Sequence, residues 1–325
     1  MEAQSLSALP DSLLLHIMTW LPPQERLRGA RVCKQWRRLV LDKLLWRHLD
    51  LTSYKIPSKV LWHLLRKHLR GNLQTLKAQG SLHSTQKQEA FTPALMQALG
   101  KQCPSLHRLC LTKTDLRMVS YSCLPSSLTT LELTCCEIPS LWFQVPEAPQ
   151  AGQGFPKLQH LIIQNVPAFS NQHLFNIAVQ GTLKMLVLSE AYRVTDIGIQ
   201  RAAPHLGELE HLALCQCSIG DSAAYFIGRH MKHLCHLDLG SSFSLTNTGL
   251  SCLSSLPALE ELCLESCSGL SSETITAVCQ MLPHLKHLDL SGMNLEEEVI
   301  HSIKAGLPSC VVANTVSSTD LSVKS

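Results

Sequence analysis

The 325-residue chain has no apolar run approaching the 18 or more residues that a membrane-spanning helix needs, so no bilayer partner is expected. Its first residues lack the charged-then-apolar pattern of a secretory signal, and neither end shows a lipidation motif. The expected compartment is therefore cytoplasm and/or nucleus. Aromatic residues make up 5% of the chain against 45% hydrophobic residues in all, so aliphatic side chains must build the core. Catalytic patterns are missing as well. There is no His-Glu-x-x-His, no Gly-x-Ser-x-Gly, and Gly152-Gln153-Gly154 lacks the Gly-Lys-Ser/Thr of a phosphate loop. The fourteen cysteines offer no second pair at zinc-ligand spacing beside Cys135-Cys136 or Cys215-Gln216-Cys217. Without a secretory route they read as reduced, mostly buried small apolar residues. No cofactor, metal or catalytic residue is expected.

What the chain does have begins with Leu9 to Trp46. Leu13, Leu14, Leu15, Ile17, Met18, Trp20 and Leu21 leave only Ser12, His16 and Thr19 as a narrow polar stripe on a first helix. A helix so apolar around its circumference needs burial on more than one side. Pro22-Pro23 stops it, Gln24 to Ala30 forms a second short helix, and Val32, Trp36, Leu39 and Val40 mark one face of a third. A module of roughly 40 residues rarely holds a sufficient core alone, so these three helices call for a partner.

A repeat follows. Leu-x-x-Leu-x-Leu, with small substitutions, starts at residues 106, 128, 158, 183, 209, 234, 259 and 285, at intervals of 22, 30, 25, 26, 25, 25 and 26. A degenerate copy starts at Leu73, and a last one lies around Cys310 to Ala313. Each unit supplies a short strand and a return helix that bury their leucines only when a neighbour covers them. Cys136, Cys217 and Cys267 each fall three residues after the last Leu of their strand and are expected to turn inward. The 30-residue interval carries its excess in Pro139 to Pro156, with four prolines and Trp142-Phe143, which reads as an exposed projecting loop. Residues 80–92 read as a weaker polar insertion. His230, His233 and His236 span a helix end, a loop and a strand in this frame, so they do not share a helical face.

Leu9-Pro10, Leu14, Ile17, Leu21-Pro22, Val32-Cys33, Trp36-Arg37 and Leu45-Trp46 resemble the F-box pattern, and with the repeats the whole chain resembles the F-box and leucine-rich-repeat family. The resemblance implies an α/β leucine-rich-repeat solenoid, with parallel strands on the concave face and helices on the convex face, preceded by a small all-α F-box. The expected parts are an F-box over 1–48, a coupling strand and helix over 49–72, about nine to ten repeats over 73–313, and a disordered tail over 314–325. It further implies a non-catalytic subunit of a cullin–RING ubiquitin ligase. The F-box would dock a Skp adaptor, and through it a cullin and a RING protein, with Leu9, Pro10, Leu14, Ile17, Leu21, Val32, Cys33, Trp36 and Trp46 in or supporting the contact.

Outward positions of the strands give the candidate target-binding face: Arg108, Glu132, His160, His211, His236, Asp238, Glu261, His287 and Asp289. Residues 1–71 hold 13 Lys/Arg against 5 Asp/Glu, whereas the rest is net acidic. The basic end lacks a nucleic-acid fold signature and reads as a solvated face or one drawn to an acidic partner, with no specific nucleic acid expected. Function is thus expected to be recognition of an unidentified target protein for ubiquitination and proteasomal degradation. The alternative is a repeat scaffold that binds the adaptor without degrading a target.

Overall fold

Each leucine of the repeat frame is buried almost completely, and that burial organises the chain. The computed structural model describes residues 9–55, 57–82, 91–145 and 154–315. Residues 83–90 of the second polar insertion, 146–153 of the proline-rich stretch and 316–325 of the tail lie outside them. The chain divides into two compact units, Met1–Leu131 with Gln150–Pro156, and Glu132–Pro149 with Lys157–Ser325. No helix among the described residues is long and apolar enough to cross a membrane.

The first unit opens with α1 (Asp11–Trp20), α2 (Pro23–Gly29) and α3 (Lys34–Val40), followed by a 3-10 turn at Lys43–Trp46. It continues with β1 (His48–Lys55), α4 (Ser58–Leu64) and a π turn at Leu65–Leu69, β2 (Thr75–Gln79), α5 (Pro93–Gln102) and β3 (Arg108–Thr112). β1 pairs parallel with β2, Leu49 opposite Leu76 and Leu51 opposite Ala78, and β2 pairs parallel with β3, Leu76 opposite Leu109. The strand at 49–51 is therefore the first strand of the repeat sheet. Trp46 sits three residues before Leu49, where the other repeats carry their first leucine, and it is as buried as those leucines. One side chain thus closes the helical module and starts the repeats. In α4 and its π turn Leu61, Leu64, Leu65 and Leu69 are buried as their spacing predicts, while Val60 stays exposed, and Gly71 ends the segment at φ +83°.

β4 (Thr130–Thr134) lies across the division between units. The second unit runs β5 (His160–Gln164), α6 (Asn171–Ala178), β6 (Met185–Ser189), α7 (Asp196–Ala202), β7 (His211–Cys215), α8 (Asp221–His230) and β8 (His236–Asp238). Then come α9 (Asn247–Cys252), β9 (Glu261–Cys263), α10 (Ser272–Gln280), β10 (His287–Asp289), α11 (Glu297–Gly306) and β11 (Val311–Ala313). Strands β5 to β11 pair in chain order, all parallel. From β3 to β10 every strand starts at the third position of its Leu-x-x-Leu-x-Leu, and the residue at the eighth position takes a positive φ: Lys113, Cys135, Asn165, Glu190, Gln216, Ser241, Ser266 and Gly292. That left-handed residue ends each strand and turns the chain toward its return helix.

A second periodic device ties neighbouring repeats together. The first residue of each of α6 to α9 accepts a backbone N–H from the following repeat. Asn171 takes that of Thr195 at 2.9 Å, Asp196 that of Gly220 at 2.8 Å, Asp221 that of Thr246 at 2.7 Å, and Asn247 that of Ser271 at 2.9 Å. The ladder explains two glycines. A Cβ on Gly198 would stand 2.1 Å from Asn171 Oδ1, and one on Gly249 2.3 Å from Asp221 Oδ1. All fourteen cysteines are free. Cys136, Cys217 and Cys267 are buried, and their thiols donate to backbone carbonyls, for Cys267 that of Leu239 at 3.3 Å.

The structure corrects one expectation outright. Trp142 and Phe143 do not project into solvent; they are 2% and 0% exposed. They pack with Phe169 and His173, ring centroids 5.0 Å apart between Trp142 and Phe143 and 6.2 Å between Phe143 and Phe169. One edge of α6, with Gln180 just past its end, reaches for the carbonyls of the same segment: His173 Nε2 donates to Pro139 O at 2.8 Å, Asn176 Nδ2 to Trp142 O at 3.2 Å, and Gln180 Nε2 to Phe143 O at 2.9 Å. Proline spacing signals a break in regular structure, and here the break is filled with aromatics.

His173 gives this plug a pH dependence. Its Nε2 faces a carbonyl, so it must carry the proton, and its Nδ1 accepts the Ser170 N–H at 3.2 Å, so it must be bare. The Ser170 bond demands neutral imidazole, and burial, outweighing the Pro139 carbonyl, pushes its pKa below the ordinary histidine value. A group held neutral in the fold stabilises fully above its unfolded pKa of about 6.5, and that contribution declines as pH falls below it. Thermal melts from pH 7.5 to 5 are expected to show a smaller loss of stability in His173→Gln than in the parent; equal slopes would exclude His173 as the source.

Candidate functional site

Two surfaces carry the residues singled out in the sequence, one in each unit. In the first, the helical module closes on Arg26. This guanidinium, only 8% exposed, donates from Nη1 to Leu45 O, from Nε to Leu21 O at 2.8 Å and from Nη2 to Thr19 O at 2.9 Å. It lies 6.0 Å from the Trp46 ring centroid, and Trp46 Nε1 donates to Val40 O at 2.8 Å. Trp46 also packs on His68 at 4.5 Å, so the module is fastened to the helix after β1. Sequence reading missed Arg26, because a buried arginine looks no different from an exposed one in a basic segment.

With its interior filled by Leu14, Met18, Leu39, Val40, Leu45 and Trp46, the module leaves the rest of its apolar residues outside. Leu14 and Trp46, expected in or behind an adaptor contact, lie in this interior at 1% and 0% exposure, so they can only support one. Pro10, Ile17, Val32 and Cys33 are exposed, while Leu9, Leu21 and Trp36 are half-buried. Leu13, Ile17 and Trp20, at i, i+4 and i+7, form an exposed stripe along α1, Trp20 at 78%; Leu41 and Leu44 are open as well. The Leu13 and Trp20 stripe was hidden in the sequence, since a helix apolar on nearly every side does not announce which side faces inward. The exposed apolar residues here are too many and too close together for scattered surface leucines.

The second surface is the outer face of the sheet. The inward leucines of β5 to β10 are buried, and the register aligns the alternate residues in rows. One row runs His160, Met185, His211, His236, Glu261, His287; the next runs Ile162, Val187, Ala213, Asp238, Cys263, Asp289. The structure therefore brings His211, His236, Asp238, Glu261, His287 and Asp289 into one pocket of about 440 Å³. His160 lies two strands away in the same row, Glu132 is on β4, and Arg108 belongs to β3 in the other unit. His211 and His236 stack at 5.4 Å and 19°, and His236 Nε2 is 3.4 Å from Glu261 Oε1. Burial, then the neighbouring His236, lowers the pKa of His211, leaving it neutral at pH 7.

Beneath this row Cys215 Sγ donates to Asp238 Oδ2 at 3.1 Å, and burial together with that carboxylate pushes the thiol up to about 12. A thiol so protonated is no nucleophile at neutral pH. Among the described residues no group of three or more His, Cys, Asp or Glu side chains is placed to hold a metal ion. His233 points elsewhere, its Nδ1 on Gly207 O at 2.9 Å. The pocket presents imidazoles and carboxylates at the sheet face.

An F-box-like family profile matches residues 6–52. F-box/LRR-repeat protein 12 of Homo sapiens is 40% identical over 95% of both chains. The protein of the same description from Mus musculus is 38% identical, again over 95% of both. Among solved structures, an internalin from Listeria monocytogenes covers 74% of this chain and 67% of its own at 17% identity, with a TM-score of 0.48.

Proposed function

Because the chain belongs to the F-box/LRR-repeat protein family, we propose that it is the target-recognition subunit of a Skp–cullin–RING ubiquitin ligase. In this reading the helical module docks the Skp adaptor, and through it a cullin and a RING protein. The repeats hold a target protein, whose ubiquitination leads to proteasomal degradation. The chain contributes proximity and orientation and no reacting group, which suits a protein whose pocket thiol, Cys263, is held protonated by burial. The same reading puts it in the cytoplasm or nucleus, where unpaired cysteines persist.

The observation that carries the proposal is the open apolar stripe Leu13, Ile17 and Trp20 with Val32 beside a filled interior. Covering a large apolar side chain contributes about 1.5–3 kcal/mol, so a few of these residues suffice for firm association. Pro10, Leu9, Leu21, Cys33 and Trp36 border the same contact in this reading. Ile17→Asp with Trp20→Ala is expected to weaken adaptor binding at least tenfold in calorimetric titration while leaving the melting temperature unchanged, since both side chains are exposed. Undiminished adaptor binding by that double variant would remove the assignment.

A further inference from the structure

The strand-face pocket over β8 to β11 has a one-sided charge. Its walls bring Asp238, Glu261 and Asp289 together with three imidazoles and no lysine or arginine. Glu265 stands one row further along, on the residue that follows Leu264. The nearby lysines are engaged elsewhere, Lys286 with Glu260 at 2.7 Å and Lys184 with Glu210 at 2.8 Å, on residues that precede the strands. The chain as a whole carries +3, so this local excess of negative charge runs against the sign of the whole molecule.

The carboxylates are also held in place. Asp238 Oδ1 accepts the Gly240 N–H at 2.8 Å and Asp289 Oδ1 accepts the Ser291 N–H at 2.9 Å, which orients each side chain at the sheet face. His211 Nδ1, in the same wall, is buried with no hydrogen-bond partner among the described residues. Glu261 faces His236 Nε2 at 3.4 Å and Asp238 takes the Cys215 thiol at 3.1 Å, yet no lysine or arginine among the lining residues balances the three carboxylates. Its complement is a group made only of donors and carrying positive charge.

We propose that this pocket receives an arginine- or lysine-bearing segment of the target protein. The inference rests on the target-recognition reading and narrows it to basic segments seated over β8 to β11. Asp238 and Asp289 lie two strands apart in one row, about 10 Å at the usual strand spacing of about 4.8 Å, which spaces the pocket for basic side chains on an extended segment. Guanidinium fits better than ammonium, because its planar fork can meet a carboxylate through two parallel N–H donors.

The test uses the full chain in complex with its adaptor, and fluorescence anisotropy with labelled (Gly-Arg)4-Gly, (Gly-Ser)4-Gly and (Gly-Glu)4-Gly peptides. The arginine peptide is expected to bind at least tenfold more tightly than the serine peptide, and the glutamate peptide not at all. Asp238→Asn with Asp289→Asn keeps an acceptor for the Gly240 and Ser291 amides and is expected to abolish at least nine-tenths of that preference. Glu261→Gln, at an exposed residue with no backbone role, should lower it severalfold, whereas Glu298→Gln on α11 should not. Equal binding of the three peptides, or a preference that survives in Asp238→Asn/Asp289→Asn, overturns the inference. Either result leaves adaptor binding intact, so failure here is distinguishable from failure of the proposed function.

Discussion

Arg26→Leu is expected to destabilise the first unit by about 3 kcal/mol and to weaken adaptor binding without touching the adaptor surface. The substitution removes the donors that meet Thr19 O, Leu21 O and Leu45 O. Leaving a buried carbonyl unsatisfied costs about 1–3 kcal/mol, and the partly buried ones cost less. Two of these carbonyls end α1, whose outer stripe carries Leu13, Ile17 and Trp20, and the third belongs to the turn that places Trp46. The end of α1 therefore frays first. Arg26→Lys should recover little, because one ammonium cannot reach three carbonyls arranged as a fork. Urea denaturation followed at the tryptophans measures the effect. A loss below about 1 kcal/mol would mean that water replaces the guanidinium.

The repeat frame was legible because period and burial coincide. Every strand from β3 to β10 begins at the motif's third position, and every left-handed turn follows at the eighth. The same logic predicted the buried cysteines at 136, 217 and 267. It also placed His211, His236, Asp238, Glu261, His287 and Asp289 on one face, since alternation along a strand is a matter of geometry alone. Three features were not legible, each for a physical reason. α1 is apolar on nearly every side, so its sequence holds no phase to separate inward Leu14 and Met18 from outward Leu13 and Trp20. Arg26 is one of many arginines in a basic segment, and only the three converging carbonyls distinguish it. Trp46 matched one pattern so well that its second role, opening the first repeat, went unread.

The fourth departure, the aromatic plug after Pro139, carries the other large prediction. Phe143→Ala is expected to cost about 3–5 kcal/mol, the range for emptying a buried phenylalanine site. Phe143 is fully buried against Trp142, Phe169 and His173, and its backbone sits at φ +66°, where a bulky residue is strained. Such a conformation persists only where the surroundings over-determine it. Once the ring is gone, little holds the strained peptide, and the segment from Pro139 to Phe143 is expected to release its three carbonyls from His173, Asn176 and Gln180. Amide exchange should then rise in residues 139–145 and along α6 before it rises in β7 to β10. Phe143→Leu, which keeps most of the buried volume, should retain the protected segment at a fraction of the cost. If Phe143→Ala lowers stability without raising exchange in 139–145, the hydrogen bonds from α6 hold the segment by themselves, and the rings only fill space.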